Sequence, residues 1–452
     1  MTSKSWSIHT RTEITQHYEI LERIGSGTYS DVYRGRRLSD NLTVALKEVH
    51  DTQSAFREIE ALQLLQNSAN VVTLYEYFWR EDEDAVLVLE YLRSDLSGVI
   101  YHGKNNWENG IGLGEVKRWM LQILEGVKDC HDCFVLHRDL KPANLLIRDD
   151  GVLKLADFGQ ARILMEPQFV SGDRAQNEQD TPNTMSPSHQ AEIKSEIENT
   201  YAEHSGNLEQ GASSKMEASF QDGETSCRAT CATSDVDDDP LKSSYSYDIG
   251  EQKEDGTGSF TSCVGTRYFK APELLYGSTD YGIEIDLWSL GCIFAELLNL
   301  EPLFPGTSDI NQLSRIISVL GNITEETWPG CSKLPDYGKI FFDKIENPQG
   351  LESCLPNYSS SEICIIRELV CYDPRRRATA MELLQDRYFQ EEPLAVALNE
   401  LRIPSTNSHQ GERSPGEWFD YNDMGSDSDF EEFGGKAFDV STTGTDFSIR
   451  FS

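Results

Sequence analysis

The chain has 452 residues with 76 acidic and 40 basic side chains, which gives a formal net charge of −36 at pH 7. A hydrophobic content of 38% is low for a chain that folds throughout, so part of the chain is predicted to be unfolded and solvated. The acidity excludes a protein that coats nucleic acid, and no apolar run is long enough for a transmembrane helix. Because the N-terminus lacks the apolar core of a secretory signal and ten cysteines are too sparse for a disulfide scaffold, a reduced, soluble, intracellular protein is expected.

Most of the negative charge lies in two segments. Residues 166–259 carry 20 acidic and 6 basic side chains with only nine Leu, Ile, Val or Phe, too little apolar surface to offset the entropy of ordering, so this segment is predicted to be disordered. Residues 391–452 add a net charge of −9 and are predicted to form an acidic tail. The other 296 residues have a globular composition and a net charge of −13. The simplest interpretation is one fold that is interrupted by a long insertion.

The predicted elements divide the folded part into two lobes. After an N-terminal extension (residues 1–17), β-branched and aromatic runs between turn residues predict five strands, and apolar residues at helical spacing predict one helix among them. The strands are 18–24, 30–36, 42–49, 71–79 and 85–92, and the helix is 55–66. Beyond residue 114 the apolar spacing predicts helices at 116–130, 286–298, 309–320 and 361–371. The fold class is therefore α+β, with a small sheet-rich lobe followed by a larger helical lobe.

Two motifs in the small lobe are ambiguous when each is taken alone. The run I-G-S-G-T-Y-S-D-V at 24–32 places Gly25 and Gly27 between two strands, where backbone amides can approach phosphates because no Cβ blocks them. A hairpin turn explains the same glycines, and Ser30 replaces the third glycine of the fuller pattern. Lys47, in V-A-L-K, is either an exposed strand lysine or the partner of Glu58 in an ion pair that holds nucleotide phosphates.

A second pair of motifs is far more specific. The run H-R-D-L-K-P-A-N at 137–144 supplies a carboxylate (Asp139), a cation (Lys141) and an amide (Asn144), and D-F-G follows at 157–159. These groups can accept a hydroxyl proton, clamp a phosphate and ligate Mg²⁺. A polar loop explains each fragment by itself, but both fragments in this order after V-A-L-K predict phosphoryl transfer.

Together with A-P-E at 271–273 and D-L-W-S-L-G at 286–291, these motifs resemble the eukaryotic protein kinases over residues 18–389 apart from the insertion. Lys141 resembles the Ser/Thr class. The runs L-F-P-G at 303–306 and D-I-N-Q-L at 309–313 resemble the cyclin-dependent kinase branch. The insertion, the short loop before the first helix and G-T-R-Y at 265–268 are similar to the plant F-class kinases that activate other cyclin-dependent kinases.

This resemblance implies a bilobal protein kinase fold. Residues 18–92 would form the small lobe and hinge, with five strands and one helix. Residues 93–165 and 260–390 would form the large helical lobe. The insertion at 166–259 would lie within the activation segment, which runs from Asp157 to Glu273, and the acidic tail at 391–452 would follow the domain.

The resemblance also implies ATP and Mg²⁺ as cofactors and assigns roles to single residues. Asp139 would orient the Ser/Thr hydroxyl and Lys141 would contact the γ-phosphate, while Lys47 and Glu58 would form the catalytic ion pair. Glu273 would pair with Arg377. The residues implied to bind the nucleotide are Ile24, Gly25, Ser26, Gly27, Val32, Ala45, Lys47, Leu89, Glu90, Leu92, Asn144 and Asp157. Asn144 and Asp157 would be the metal ligands.

The same resemblance implies sites of regulation. Thr261 stands where related kinases carry an activating phosphothreonine, and Arg57, Arg138 and Arg162 match the arginines that bind this phosphate. Local salt bridges are the alternative role for each arginine. Thr28 and Tyr29 match an inhibitory phosphorylation pair, although a turn explains them equally well.

The expected function is that of a Ser/Thr kinase acting on activation-loop threonines of cyclin-dependent kinases or of their activating kinases. Glu58 follows Lys47 by only eleven positions and the loop between them lacks a cyclin-docking sequence, so activity without a cyclin is expected. Lys270 replaces the arginine of proline-directed relatives, which suits activation-loop substrates. The partners are protein substrates, with no direct nucleic-acid or membrane partner, and the location is the nucleus, the cytoplasm or both.

Two alternatives remain open at the level of sequence. One is a related kinase with another substrate, such as the repeated tail of RNA polymerase II. The other is a pseudokinase scaffold, which the presence of Lys47, Glu58, Asp139, Asn144 and Asp157 disfavours.

Overall fold

The computed structural model describes residues 7–27, 29–79, 84–164, 260–404, 438–443 and 446–451. It confirms the predicted α+β fold of two lobes, with a five-stranded antiparallel sheet in the small lobe and mostly helices in the large lobe. The predicted disorder of residues 166–259 lies outside the described residues. Among the helices that the structure describes, none has the length and apolarity required to cross a membrane.

The small lobe is built on one sheet with the strand order β1-β2-β3-β5-β4. Its strands are β1 (Tyr18–Ser26), β2 (Ser30–Arg37), β3 (Thr43–Val49), β4 (Leu74–Phe78) and β5 (Ala85–Glu90). Side chains of β3 alternate between the two faces, as the period of two requires. Ala45 and Val49 pack into the main core, whereas Val44 and Leu46 pack into a second, smaller apolar cluster on the opposite face.

The N-terminal extension covers that second cluster. A helical turn (Ile8–Thr10) and α1 (Thr12–Thr15) precede β1, and Ile8 and Ile14 are fully buried against the sheet. The buried Arg11 donates from Nη1 to the carbonyl oxygen of Asp84 at 2.5 Å. This extension therefore belongs to the folded small lobe.

The single helix of the small lobe, α2 (Thr52–Leu64), starts three residues before the predicted helix. Its start is set by Asp51, whose side chain accepts a hydrogen bond from the amide of Ser54 at 2.7 Å. This N-cap satisfies an amide that would otherwise lack a partner at the helix terminus. Ala55, Ile59 and Leu62 form the buried face of α2.

The large lobe is organised around two long helices that bury the largest side chains of the core, Trp119 and Trp288. They are α4 (Leu113–Asp132), which follows α3 (Leu96–Asn105), and α6 (Glu284–Asn299), which follows α5 (Pro272–Leu275). The remaining helices are α7 (Asp309–Leu320), α8 (Leu351–Cys354), α9 (Ser360–Leu369) and α10 (Ala380–Leu384). All four helices predicted beyond residue 114 are therefore present.

Short strands hold the loops that carry the polar motifs. They are β6 (Ser94–Asp95), β7 (Val135–Leu136), β8 (Leu145–Ile147), β9 (Leu153–Leu155) and β10 (Arg162–Ile163). β8 pairs with β6 and β9, and β7 pairs with β10. The H-R-D motif therefore follows β7 and the D-F-G motif follows β9, so that both motifs leave paired strands.

The first residues of the segment predicted as tail pack on the large lobe. We call residues 391–404 the C-terminal strap. The amide of Val396 donates to the carbonyl oxygen of Gly114 at 3.1 Å, Leu401 is buried, and the guanidinium of Arg402 contacts Glu115 at 2.9 Å. Farther along, β12 (Phe438–Thr443) pairs with β13 (Asp446–Phe451), which pairs with β11 (Ile340–Phe342).

Candidate active site

The predicted ion pair of the small lobe is formed. The ammonium of Lys47 lies 2.7 and 2.8 Å from the two carboxylate oxygens of Glu58 and 2.7 Å from Oδ1 of Asp157. Burial disfavours the Lys47 charge, but the carboxylates of Asp157 and Glu58 outweigh it and raise the pKa of Lys47. The Lys47 ammonium in turn lowers the pKa of Asp157 to about 2. Lys47 and Asp157 are therefore ionised near neutral pH, whereas burial raises the pKa of Glu58 against the opposing charge of Lys47. The three groups join β3, α2 and the D-F-G motif.

Helix α2 is attached to the D-F-G motif at a second point. The carbonyl oxygen of Gly159 accepts hydrogen bonds from Oγ of Ser54 at 3.2 Å and from Nε of Arg57 at 2.8 Å. A Cβ on Gly159 would lie 2.4 Å from Oγ of Ser54, so only glycine permits this approach. These contacts fix the position of α2, and with it that of Glu58, from within the chain.

The predicted nucleotide residues of the sheet lie next to Lys47. In the strand register Gly25 is opposite Val32, Val32 is opposite Lys47, and Ala45 is opposite Leu89. The amide of Gly27 donates to the carbonyl oxygen of Ser30 at 2.8 Å, which closes the glycine-rich turn. The structure thus gathers the glycine-rich turn, the lysine strand and the start of the hinge around one region.

The hinge and the turn account for the other predicted residues. Ile24 and Ser26 lie on β1, and Leu92 is buried just after β5. The carboxylate of Glu90 bonds to Lys154 at 2.8 Å, which anchors the hinge to the large lobe. For the predicted inhibitory pair, Tyr29 is 64% exposed, whereas Thr28 lies outside the described residues.

The catalytic loop brings the residues of the H-R-D run together. Asp139 Oδ1 accepts hydrogen bonds from the amide and the hydroxyl of Thr266 at 2.9 and 2.7 Å, and Oδ2 lies 3.0 Å from the ammonium of Lys141. Lys141 also donates to Oγ1 of Thr266 at 3.0 Å. Nδ2 of Asn144 donates to the backbone oxygen of Asp139 at 2.8 Å. A hydroxyl therefore already occupies the carboxylate that was predicted to accept one.

The loop is held from behind by a carboxylate to which the sequence assigned no role. Asp286 accepts the backbone amides of His137 and Arg138, both at 2.9 Å, and the ring of His131 lies 3.1 Å away. Arg138 has a φ of 66°, a backbone conformation that residues other than glycine seldom adopt. We infer that the paired amide bonds stabilise this conformation.

The donor set of Asn144 and Asp157 fits a magnesium ion. Amide and carboxylate oxygens are hard ligands, and Mg²⁺ in kinases takes few protein ligands because phosphate oxygens and water complete its shell. Nδ2 of Asn144 donates to Asp139, and the Oδ1 atom of the same side chain is the one that would bind a cation. Within the described residues, no group of three or more His, Cys, Asp or Glu side chains could hold a metal by itself.

Thr261 is exposed and lies beside the predicted arginines. Its carbonyl oxygen accepts from the hydroxyl of Tyr281 at 2.6 Å, and that hydroxyl accepts from Nη1 of Arg138 at 3.0 Å. The neighbouring Phe260 has its ring 5.7 Å from the guanidinium of Arg162. Two of the three arginines therefore reach the segment that carries Thr261.

The third arginine lies close to the other two. Burial lowers the pKa of Arg57, and the positive charges of Arg138 and Arg162 lower it further. A cluster of mutually repelling cations is a site that an anion would stabilise. The assignment of Thr261 as the phosphorylated residue stays a prediction.

Two further ion pairs shape the end of the activation segment. The buried Glu273 and Arg377 form a bidentate pair with distances of 2.6 and 2.8 Å, as the resemblance implied. Lys270 bonds to Asp309 at the start of α7 at 3.2 Å, and Asp309 also contacts Arg267 at 3.2 Å. Lys270 is therefore held against the large lobe.

Four residues that contribute to the site were given no role from the sequence: Ser54, Gln160, Thr266 and Asp286. Thr266 and Asp286 stand inside the quoted G-T-R-Y and D-L-W-S-L-G motifs, so their position within these motifs was the available signal. Ser54 and Gln160 carry no such signal. Their roles depend on contacts between residues that are 105 positions apart along the chain.

Comparisons with known proteins agree with this site. The protein kinase domain model matches residues 18–194 and 247–389, and the gap in the match falls within the predicted insertion. The chain is 54% identical to cyclin-dependent kinase F-1 of Arabidopsis thaliana and to that of Oryza sativa, over 99% of this chain and 98% of each relative. It is 33% identical to cyclin-dependent kinase 20 of Danio rerio, over 86% of this chain and 87% of the relative.

Among solved structures, the CAK complex from Chaetomium thermophilum bound to ATP-γ-S has a chain that matches with a TM-score of 0.60 and 27% identity. The match covers 86% of this chain and 95% of that chain. The fold and the ATP analogue in that structure support ATP binding at the site described above. The chain therefore belongs to the protein kinase family and, within it, to the cyclin-dependent kinases.

Proposed function

We propose that this Ser/Thr kinase transfers the γ-phosphate of ATP to activation-loop threonines of cyclin-dependent kinases or of their activating kinases, and that it does so without a cyclin. The observation that carries the kinase assignment is that Lys47 contacts both Glu58 and Asp157 while Asp139 already accepts a hydroxyl. The groups proposed to bind the nucleotide and the carboxylate proposed to receive the substrate hydroxyl are therefore both positioned for the reaction.

The proposed reaction assigns one task to each of these groups. Lys47, held by Glu58, binds the α- and β-phosphates. The substrate hydroxyl binds at the Asp139 carboxylate beside Thr266, its oxygen bonds to the γ-phosphorus, the bond from that phosphorus to the ADP oxygen breaks, and Asp139 takes the hydroxyl proton. Lys141 stabilises the transferred phosphoryl group. Asn144 and Asp157 would hold Mg²⁺, which would neutralise phosphate charge.

Support for cyclin independence comes from the attachment of α2. Ser54 and Arg57 tie this helix to Gly159, and Lys47 ties Glu58 to Asp157, so the active position of the helix is stabilised within the chain. A partner protein is then not needed to place Glu58.

Support for the substrate class comes from the relatives and from Lys270. The full-length likeness to the F-1 kinases and the likeness to a CAK complex favour a kinase that acts on other kinases. Lys270 stands where proline-directed relatives have arginine, and it pairs with Asp309 at 3.2 Å. We also propose that Thr261 is the activating phosphosite, and that the protein acts in the nucleus, the cytoplasm or both.

The test is a phosphorylation assay with purified full-length protein, Mg-ATP and a catalytically inactive cyclin-dependent kinase that keeps its activation-loop threonine, without any cyclin. An Asp139→Asn variant is the control for contaminating kinases. We expect phosphate on that threonine from the wild type only.

Phosphate on a polymerase-tail peptide but not on the kinase substrate would assign the other substrate class. Phosphorylation that starts only when a cyclin is added would remove the claim of cyclin independence. Failure to phosphorylate any protein, including myelin basic protein, would leave the scaffold role.

A further inference from the structure

Gln160, the residue after the D-F-G motif, connects the two ends of the activation segment. Its side-chain Oε1 accepts a hydrogen bond from the amide of Gly265 at 2.9 Å. Its backbone oxygen accepts from Nε of Arg138 in the catalytic loop at 2.6 Å. One residue thus joins the metal-binding loop, the catalytic loop and the segment that follows Thr261.

Gln160 binds the backbone amide of Gly265, a position at which other residue types are disfavoured. Gly265 has a φ of 80°, in the left-handed region that favours glycine, and a Cβ there would lie 2.9 Å from the carbonyl oxygen of Arg138. The next residue, Thr266, donates to Asp139 from both its amide and its hydroxyl. A shift of Gly265 would therefore move Thr266 away from the carboxylate that must receive the substrate.

The covalent chain does little to hold these two ends together. Gln160 and Gly265 are 105 positions apart along the chain, so their proximity comes from the fold and not from being neighbours in sequence. Non-covalent contacts must therefore set where the substrate-binding end of the segment lies. The Gln160 bond is one direct side-chain contact between the two ends, and it lies next to Asp139.

We propose that Gln160 is a positioning residue that fixes Gly265, and through it Thr266, so that a protein substrate docks against Asp139. Gln160 does not contact the nucleotide in this role. The proposal rests on protein kinase activity alone and is independent of which protein is the physiological substrate.

The test compares Gln160→Leu, which removes the acceptor at similar volume, with Gln160→Glu, which keeps an oxygen acceptor on a side chain of the same length. Gln385→Leu, at an exposed glutamine at the end of α10, is the matched control. Myelin basic protein is the substrate, so that the test does not depend on the proposed activation-loop specificity. KM for this substrate, KM for ATP, kcat and the melting temperature are measured for each full-length variant.

We expect Gln160→Leu to raise KM for the protein substrate about fivefold, the loss that follows from one hydrogen bond. KM for ATP and the melting temperature stay at the wild-type values, and Gln160→Glu stays within about twofold of wild type because it keeps the acceptor. Gln385→Leu behaves as wild type.

Three results would overturn the proposal. The first is an unchanged protein-substrate KM in Gln160→Leu. The second is an equal rise in both KM values, which would place the effect in the whole site. The third is a Gln160→Glu variant as impaired as Gln160→Leu, since the acceptor would then be irrelevant.

Discussion

Two buried carboxylates set the geometry of the catalytic loop from opposite sides. Asp139 faces the substrate side and holds Thr266, whereas Asp286 holds the backbone of His137 and Arg138. Burial alone would raise the pKa of Asp286, but hydrogen bonding from His131 and from the His137 amide lowers it. Asp286 is therefore an anion that can accept all of these bonds at neutral pH.

We predict that Asp286→Asn lowers kcat at least about tenfold. Asparagine keeps only one acceptor oxygen, so a backbone amide of the catalytic loop would be buried without a partner, which costs about 1–3 kcal/mol. The ATP dissociation constant changes little, since Lys47 and Glu58 lie on the other lobe. Steady-state kinetics and ATP titration measure the two quantities. Asp280→Asn, at an exposed carboxylate, is the control, and equal kcat values for the two variants would contradict the role of Asp286.

At the level of residues, the sequence predicts the groups that take part in the reaction better than the groups that hold them in position. Lys47, Glu58, Asp139, Asn144 and Asp157 stand in motifs whose residue types define their reaction, and the structure brings them together. Asp286 supports the loop through contacts with residues that are distant in sequence, such as Arg138, which lies 148 positions earlier. No local pattern encodes such a pairing, so this kind of role emerges only from the fold.

Helix α2 is the element whose position decides whether the nucleotide half of the site is assembled. Ser54 lies one turn before Glu58 on the same helix and bonds to Gly159. Because residues four apart face the same side of a helix, the hydroxyl and the carboxylate act on the D-F-G motif together.

We predict that Ser54→Ala raises KM for ATP about fivefold, the expected loss for one hydrogen bond, because α2 then moves more freely. Alanine is a good helix former, so the melting temperature does not fall. Ser54→Thr, which keeps the hydroxyl, restores the KM, and Gln53→Ala at the exposed neighbour is the matched control. An unchanged KM in Ser54→Ala would show that the contacts of Arg57 and Glu58 hold the helix without Ser54.

A histidine at the end of β3 has a raised pKa in the folded protein. His50 bonds through Nδ1 to Asp84 at 2.7 Å, and its backbone amide donates to the carbonyl of Tyr29 in the glycine-rich turn. Burial lowers the pKa of His50, but the hydrogen bond and charge of Asp84, with the charges of Asp31 and Glu48, outweigh it and raise the pKa above 6.5.

A raised pKa in the folded state means that the imidazolium contributes stability below the unfolded pKa of 6.5 and that this contribution is lost as the pH rises through the folded value. We therefore predict that His50→Gln lowers the melting temperature more at about pH 5.5 than at about pH 9. Differential scanning fluorimetry across this range measures it. The control is His17→Gln, since the His17 ring bonds a backbone carbonyl, and a pH-independent difference for His50→Gln would contradict the prediction.

Helices with a long apolar repeat were predictable from the sequence, but the residues at which elements begin and end were not. The helix predicted at 309–320 coincides with α7, whereas α2 begins earlier because its N-cap Asp51 precedes the first apolar residue. The short N-terminal helix α1 was missed. Its few residues show no period, and its burial depends on an apolar face of the sheet that only the assembled fold creates.

At the scale of the whole molecule, the folded kinase is larger than its motifs indicate. The N-terminal extension covers one face of the small lobe, and the C-terminal strap crosses the large lobe to end near the hinge, where Oγ of Ser94 donates to the carbonyl oxygen of Pro404 at 3.5 Å. The prediction of an acidic tail from residue 391 rested on charge. Charge did not reveal that Leu401 is buried and that Arg402 pairs with Glu115.

The strap yields a prediction about stability. Truncation after residue 390 exposes the surface beneath Leu401 and leaves Glu115, which is 7% exposed, without its arginine. Burial of a leucine is worth about 1.5–3 kcal/mol, and the partly exposed ion pair adds up to about 1 kcal/mol. We therefore expect the chain that ends at residue 390 to be about 2–4 kcal/mol less stable than the chain that ends at residue 404, measured by urea unfolding.

Both truncated chains lack residues 405–452, so the difference between them reports the strap alone. Arg402→Ala in the full-length protein separates the ion pair from the rest of the strap, and it should account for the smaller part of the loss because its guanidinium is partly exposed. Equal urea midpoints for the two truncated chains would mean that the strap rests on the large lobe without stabilising it, and the kinase fold would then end at residue 390.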